Sequence, residues 1–119
     1  MRTGKIVIAG QAYPITYSLG TQMTLEAEGY KDPSEMLSGG AVVTNFVHLL
    51  ALMIRAGCDY ARRTGADAPA PLGEEEIALL TGPDDIEALM TETAAVIQGE
   101  RRVSAEDPAP KKRRAAPKT

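Results

Sequence analysis

The sequence predicts a mainly α protein with a small N-terminal β-hairpin, an α+β domain over residues 1–99 followed by a disordered basic tail over 100–119. Three observations predict it. Residues 41–63, AVVTNFVHLLALMIRAGCDYARR, lack proline and carry large apolar side chains at three- and four-residue steps, as one buried face of a helix requires. Two short runs near the N-terminus alternate apolar and polar with a glycine between them, the pattern of paired strands. Beyond Glu100 the composition turns basic and loses its apolar content, with Val103 the one sizeable apolar side chain, too little to offset the entropy of ordering.

The elements follow in chain order. Residues 5–9, KIVIA, place Ile6 and Ile8 on one face, and residues 12–18 place Tyr13, Ile15 and Tyr17 on one face. Gly10-Gln11 between them is the expected two-residue loop, with glycine where a positive φ is wanted. Pro14 cannot donate to a ladder, so its nitrogen must face outward at an edge. Such a hairpin is marginal alone and must lie on the helices. Residues 19–28 form a short helix capped by Ser18 and ended at Gly29, with Met23 and Leu25 inward. Asp32-Pro33-Ser34-Glu35 starts another short helix, with aspartate at the cap, proline first and glutamate third.

The long helix 41–63 is the expected spine. Val42, Val43, Phe46, Val47, Leu49, Leu50, Met53, Ile54 and Tyr60 make its apolar side. Arg55 with Asp59 and Asp59 with Arg63 are four apart and expected to pair. Pro69 and Pro71 then force an extended crossing. Glu74-Glu75-Glu76 open a helix whose apolar side is Ile77, Leu79 and Leu80, acidic charge suiting a helix start. A last helix is expected over 84–98, with Ile86, Leu89, Met90, Ala94 and Ile97 inward and Gly99 as its stop.

Composition narrows the function classes. Residues 1–99 hold six basic against thirteen acidic side chains, and residues 100–119 seven basic against three acidic. An acidic body argues against a phosphate-backbone binder, which needs a basic face. The run 111–114, KKRR, reads as a solubilising end, with contact to nucleic acid or an acidic partner as its other reading. Cys58 is the one cysteine, so no internal disulfide forms, which fits a reducing compartment. The chain opens on a strand pattern rather than a leader. No apolar run approaches the roughly 20 residues of a membrane span, the richest, 46–54, being interrupted by His48. A cytoplasm is therefore the expected location, with no membrane partner.

No catalytic or cofactor constellation emerges. His48 has no acid or nucleophile at a productive spacing and reads as a structural histidine. His48 and Cys58 lie ten positions apart on one helix, some 15 Å at about 1.5 Å of rise per residue, too far to share a metal or a proton. The acidic clusters 74–76 and 84–85 lack the spacing of a calcium loop and read as helix starts. No cofactor, metal or catalytic residue is expected, and an enzyme is the last reading.

Two stretches carry a family resemblance. Residues 5–30, KIVIAGQAYPITYSLGTQMTLEAEGY, look like the opening hairpin and first helix of tail assembly chaperones encoded by long-tailed phages and prophages of Gram-positive bacteria. From Gly57 onward, Tyr60-Ala61, Thr64-Gly65, Pro69 to Pro71, Glu74 to Glu76 and Ile86 to Ile97 resemble that family's helix end, polar turn, proline-rich crossing, acidic helix start and last helix. Two details depart from it. The turn is Ala-Gly-Gln where asparagine-glycine is common, and the acidic helix follows Gly73 rather than a serine or threonine cap.

The resemblance implies a non-enzymatic protein made in the host cell and absent from the mature virion. It would hold the tape measure protein soluble until tail tube subunits polymerise. It also implies a longer frameshifted form that recruits the tail tube protein. The tail would then be a linker and Lys111-Lys112 a possible shift site, since lysine pairs can have slippery codons. The accessible client surface such a role needs is expected at Met23, Met36, Met53 and Met90, whose side chains adapt to varied partners, although methionines so placed are more often core. The alternative reading is a small structural or head–tail adaptor protein of a phage particle. A third is a nucleic-acid-binding regulator acting through the tail.

Overall fold

The computed structural model describes residues 2–104, in the order β1 (Arg2–Ile8), β2 (Gln11–Tyr17), α1 (Leu19–Ala27), α2 (Pro33–Met36), α3 (Val42–Arg63), α4 (Glu74–Leu80), a 3-10 turn (Pro83–Asp85) and α5 (Ile86–Ser104). The predicted class, helices with one N-terminal hairpin, is the observed one.

The hairpin departs from expectation in its turn. Ile8 pairs with Gln11, so the two loop residues are Ala9 and Gly10, not Gly10 and Gln11. Both have positive φ, 52° and 81°, as a type I′ turn demands. The expected loop would have set Ile8 opposite Tyr13; here Ile6 faces Tyr13 and Gly4 faces Ile15. Either register puts the same residues on one face, and Ile6, Ile8, Tyr13 and Ile15 are all buried. Ala9 carries a Cβ in a region disfavoured by about 1–2 kcal/mol. Ala9→Asn should therefore raise stability by about 1 kcal/mol and lift the melting temperature by about 4–8 °C for a domain of this size, read by thermal denaturation.

Two glycines seat the helices against the hairpin. A Cβ at Gly57 of α3 would lie 2.3 Å from the Pro14 carbonyl oxygen and 2.8 Å from the Ile15 Cα. A Cβ at Gly4 would lie 2.4 Å from Cγ2 of Val96 on α5. A methyl at Gly57 would sit side-on over the Pro14–Ile15 peptide, so α3 packs against the face of β2. β2 has one neighbour in the sheet, β1, so Pro14 lies on an edge strand as expected.

α3 holds the core. Phe46, Leu49, Leu50, Met53, Ile54, Gly57 and Cys58 are buried at strict three- and four-residue steps. By length and apolar content α3 is enough to cross a membrane, contrary to the expectation from the sequence. Its apolar stripe instead packs with the hairpin isoleucines, Leu25, Met36, Ile77 and Leu89 in one cluster. Val43 and Tyr60, expected in the stripe, are exposed. Asp59 pairs with Arg62 at 3.8 Å rather than with Arg55 or Arg63. Arg62 is drawn there because its Nη2 donates to the Pro69 carbonyl at 2.8 Å, tying the proline-rich crossing to the helix end.

The caps follow the sequence. The Ser18 hydroxyl accepts from the Thr21 N–H at 3.1 Å, and the Asp32 carboxylate from the Glu35 N–H at 2.9 Å. Gly73 has no side chain to offer, but the Glu76 carboxylate accepts from its N–H at 2.9 Å. Gly99 does not end the last helix, which continues to Ser104. Glycine inside a helix costs only about 1 kcal/mol relative to alanine, and Glu100, Arg101 and Arg102 after it are good helix formers. The expected boundary at residue 100 therefore falls inside α5. The remainder of the expected tail, with Lys111 and Lys112, lies outside the described residues.

Candidate functional site

Four methionines were expected at a client surface, and they divide. Met36 and Met53 are core residues, fully buried, so neither presents a surface to a partner. Met36 closes α2 against α3, where the Asn45 side-chain amide donates to its carbonyl at 2.9 Å. Met90 is half-buried and packs on the core. Met23 is 62% exposed, contrary to its expected inward position. Two residues turn a helix by about 200°, so Met23 and Leu25 cannot share a face, and the buried residues of α1 are Thr21 and Leu25.

Leu19 stands one turn before Met23 and is also exposed, giving α1 an apolar outer row. Beside this row a cleft of about 460 Å3 opens between α1 and α3. Gly20 and Thr24 line one wall, Leu52, Ala56 and Tyr60 the other. Arg55 and Arg63, left free of Asp59, reach the same cleft. A second exposed apolar group lies on α4. Leu79 and Leu80, expected on the inner side of α4, are exposed, and only Ile77 is buried. A seven-residue helix turns one row toward the core, and Ile77 occupies it.

The cluster that sequence reasoning missed surrounds His48. Its Nδ1 lies 2.6 Å from a Glu74 carboxylate oxygen, and its Nε2 lies 2.9 Å from Glu28. Glu28 ends α1 and Glu74 starts α4, so one imidazole on α3 joins three elements. Separations of 20 and 26 residues gave no local signal. Burial pushes the His48 pKa down, but the hydrogen bonds and charges of Glu74 and Glu28 outweigh it and hold the pKa above 6.5. Only the imidazolium donates to both carboxylates at once.

A raised folded-state pKa stabilises the fold fully below the unfolded value and loses that contribution as pH rises through the folded one. Stability should therefore fall as pH rises from about 6.5 through the raised folded-state value, and His48→Gln should flatten that slope. Each contact is exposed enough to be worth only about 0.2–1 kcal/mol, screened by salt. Urea denaturation across that pH range checks this; an equal slope in the variant removes His48 as its source.

Cys58 is buried, and burial, opposed by Arg62 and aided by Asp59, pushes its thiol up, away from the thiolate a nucleophile needs. Among the described residues no group of three or more histidine, cysteine or acidic side chains is placed to hold a metal ion. Comparison of this chain with family models, curated proteins and solved structures yields no match. What the geometry offers is accessible apolar surface on an acidic body: the Leu19–Met23 row with its cleft, and the Leu79–Leu80 corner.

Proposed function

We propose that this chain is a tail assembly chaperone of a long-tailed phage or prophage, which binds the tape measure protein and keeps it soluble while tail tube subunits polymerise around it. The resemblance of residues 5–100 to that family supports the reading. The observation that carries it further is the exposed Leu19–Met23 row beside the α1–α3 cleft. A holdase needs apolar surface that is accessible yet does not drive its own precipitation. Leu19 and Met23 recur at the spacing that receives the apolar side of a client helix. Arg55, Asp59 and Arg63 in the adjoining cleft offer both signs of charge to the client's polar flank. The acidic body, thirteen acidic against six basic residues over 1–99, keeps the complex in solution.

On this reading the protein acts in the cytoplasm of the bacterial host and leaves before the virion is complete. It has no catalytic residue. A longer product, if its codons at Lys111-Lys112 allow a frameshift, would carry the domain that recruits the tail tube protein.

The test is co-expression with the tape measure protein encoded nearby. The client should become soluble and co-purify with the tagged chain. Leu19→Glu with Met23→Glu should cut co-purification at least roughly tenfold, as loss of about 1.4 kcal/mol implies, and leave the melting temperature in place. A client that stays insoluble, or binding indifferent to the double variant, rejects this surface. Recovery of the chain from purified virions by mass spectrometry would instead favour the structural adaptor.

A further inference from the structure

The phase of the hairpin ladder follows from one residue and the turn. Pro14 faces Lys5 and has no proton to donate, and Ile8–Gln11, which flanks the two-residue turn three pairs away, is a hydrogen-bonded pair. Lys5–Pro14 is therefore a pair without mutual hydrogen bonds, and by the alternation of an antiparallel ladder so are Thr3–Thr16 and Val7–Ala12. The main-chain N–H and C=O groups of Thr3, Lys5 and Val7 then point away from β2. They have no backbone partner elsewhere in the described residues, and all three residues are exposed, Val7 at 61%. The hairpin has two edges: Pro14 blunts that of β2, and the outward groups of β1 have no backbone partner among the described residues.

Open edges are ordinarily guarded by proline, a bulge or inward charge. The proline here is on the β2 edge, and among the described side chains of β1 the charged guard is Lys5. At the C-terminal end of β1 the edge meets a cleft of about 300 Å3 between the hairpin and the start of α5, lined by Val7, Leu80, Ala88 and Glu92 among others. Glu92 makes no hydrogen bond or ion pair with the described residues. One end of the edge is thus acidic and apolar, while its middle is basic.

We propose that the open edge of β1 pairs antiparallel with β1 of a second copy of this chain. A two-fold arrangement is self-complementary, since each copy offers the same row of donors and acceptors. Lys5 opposite Lys5 would set like charges together, which a sheet disfavours. Moving the register so that Lys5 lies opposite the second copy's Val7 removes that repulsion. The axis then passes at Ile6, and Lys5 and Val7 of each copy exchange both main-chain bonds. The same register brings each Lys5 to the end of the edge where the other copy's Glu92 stands, and it covers Val7. The inference is independent of the proposed chaperone role.

Sedimentation velocity on the full chain, over a dilution series from micromolar to near-millimolar, tests it. A dimer that dissociates on dilution is expected. Val7→Pro removes an outward N–H while leaving the internal ladder intact, as Pro14 already does on β2, so the circular dichroism spectrum should persist. The dimer dissociation constant should rise at least roughly tenfold. Lys5→Glu and Glu92→Lys should each weaken the dimer, and the two together should restore it, which no loss of folding can mimic. A monomer throughout the series overturns the proposal. So does a dimer indifferent to Val7→Pro, or a charge swap that fails to rescue. If the wild type is monomeric and Val7→Pro reduces client co-purification, the occupant of the edge is an extended client segment rather than a second copy.

Discussion

Gly57→Ala is expected to lower the unfolding free energy by about 3 kcal/mol, the upper end of overpacking penalties. The expectation runs against local preference, because alanine is the better helix former by about 1 kcal/mol. The packing term wins because of what the new methyl meets. It would lie 2.3 Å from the Pro14 carbonyl oxygen and 2.5 Å from its carbon. These are backbone atoms that no rotamer change can move aside, so α3 must lift from β2 along its length. Gly39→Ala is the matched control, since nothing lies within 4 Å of the position its Cβ would take. Urea denaturation of both variants decides the matter. A Gly57→Ala protein as stable as the wild type would mean that α3 and β2 are not in backbone contact.

Phe46→Ala should remove about 3–5 kcal/mol. Phe46 is the one phenylalanine of the chain and is 1% exposed at the first turn of the buried stripe. Its neighbours in the cluster are almost all aliphatic and held by the hairpin and α3, so the void left by the ring has little to collapse into. Against a total of roughly 5–15 kcal/mol for a domain, this alone should leave the fold partly unfolded at moderate temperature. Val43→Ala on the same helix, at an exposed position, should change stability by less than about 0.5 kcal/mol. A similar midpoint for the two variants would place Phe46 outside the core.

The parts of the fold legible in the sequence are those with a local cause. The spacing of Phe46, Leu50, Ile54 and Cys58 marks the buried side of α3 with no knowledge of what covers it. Ser18, Asp32 and Pro33 mark helix starts because their side chains act within three residues. The alternation of Ile6, Ile8, Tyr13 and Ile15 marks a face, but two registers satisfy it equally, and the choice rests on Ala9 accepting a positive φ that alternation does not encode. Gly99 reads as a stop only if nothing favours continuation.

The candidate surfaces were less legible, for a physical reason. An apolar residue buried in the core and one held out for a partner have the same side chain. Met36 and Met53 cannot be told from Met23 until the helices are placed. Leu79 and Leu80 read as inner residues because α4 is too short for its periodicity to separate two rows. The join of Glu28, His48 and Glu74 is set by tertiary packing and leaves no trace at any short spacing.

The packing of α3 against the hairpin also bears on how the chain reaches and keeps its fold. The hairpin is a local structure that forms on the microsecond scale. Pairing Gly57 with Pro14 joins segments far apart in sequence, and the entropy of closing that loop must be met first. During refolding there is thus an interval in which the apolar face of the hairpin, Ile6, Ile8, Tyr13 and Ile15, is uncovered. Aggregation should compete with folding at that step, and its yield should depend steeply on protein concentration. A variant that docks α3 slowly would precipitate on refolding even where its native state, once formed, is sound.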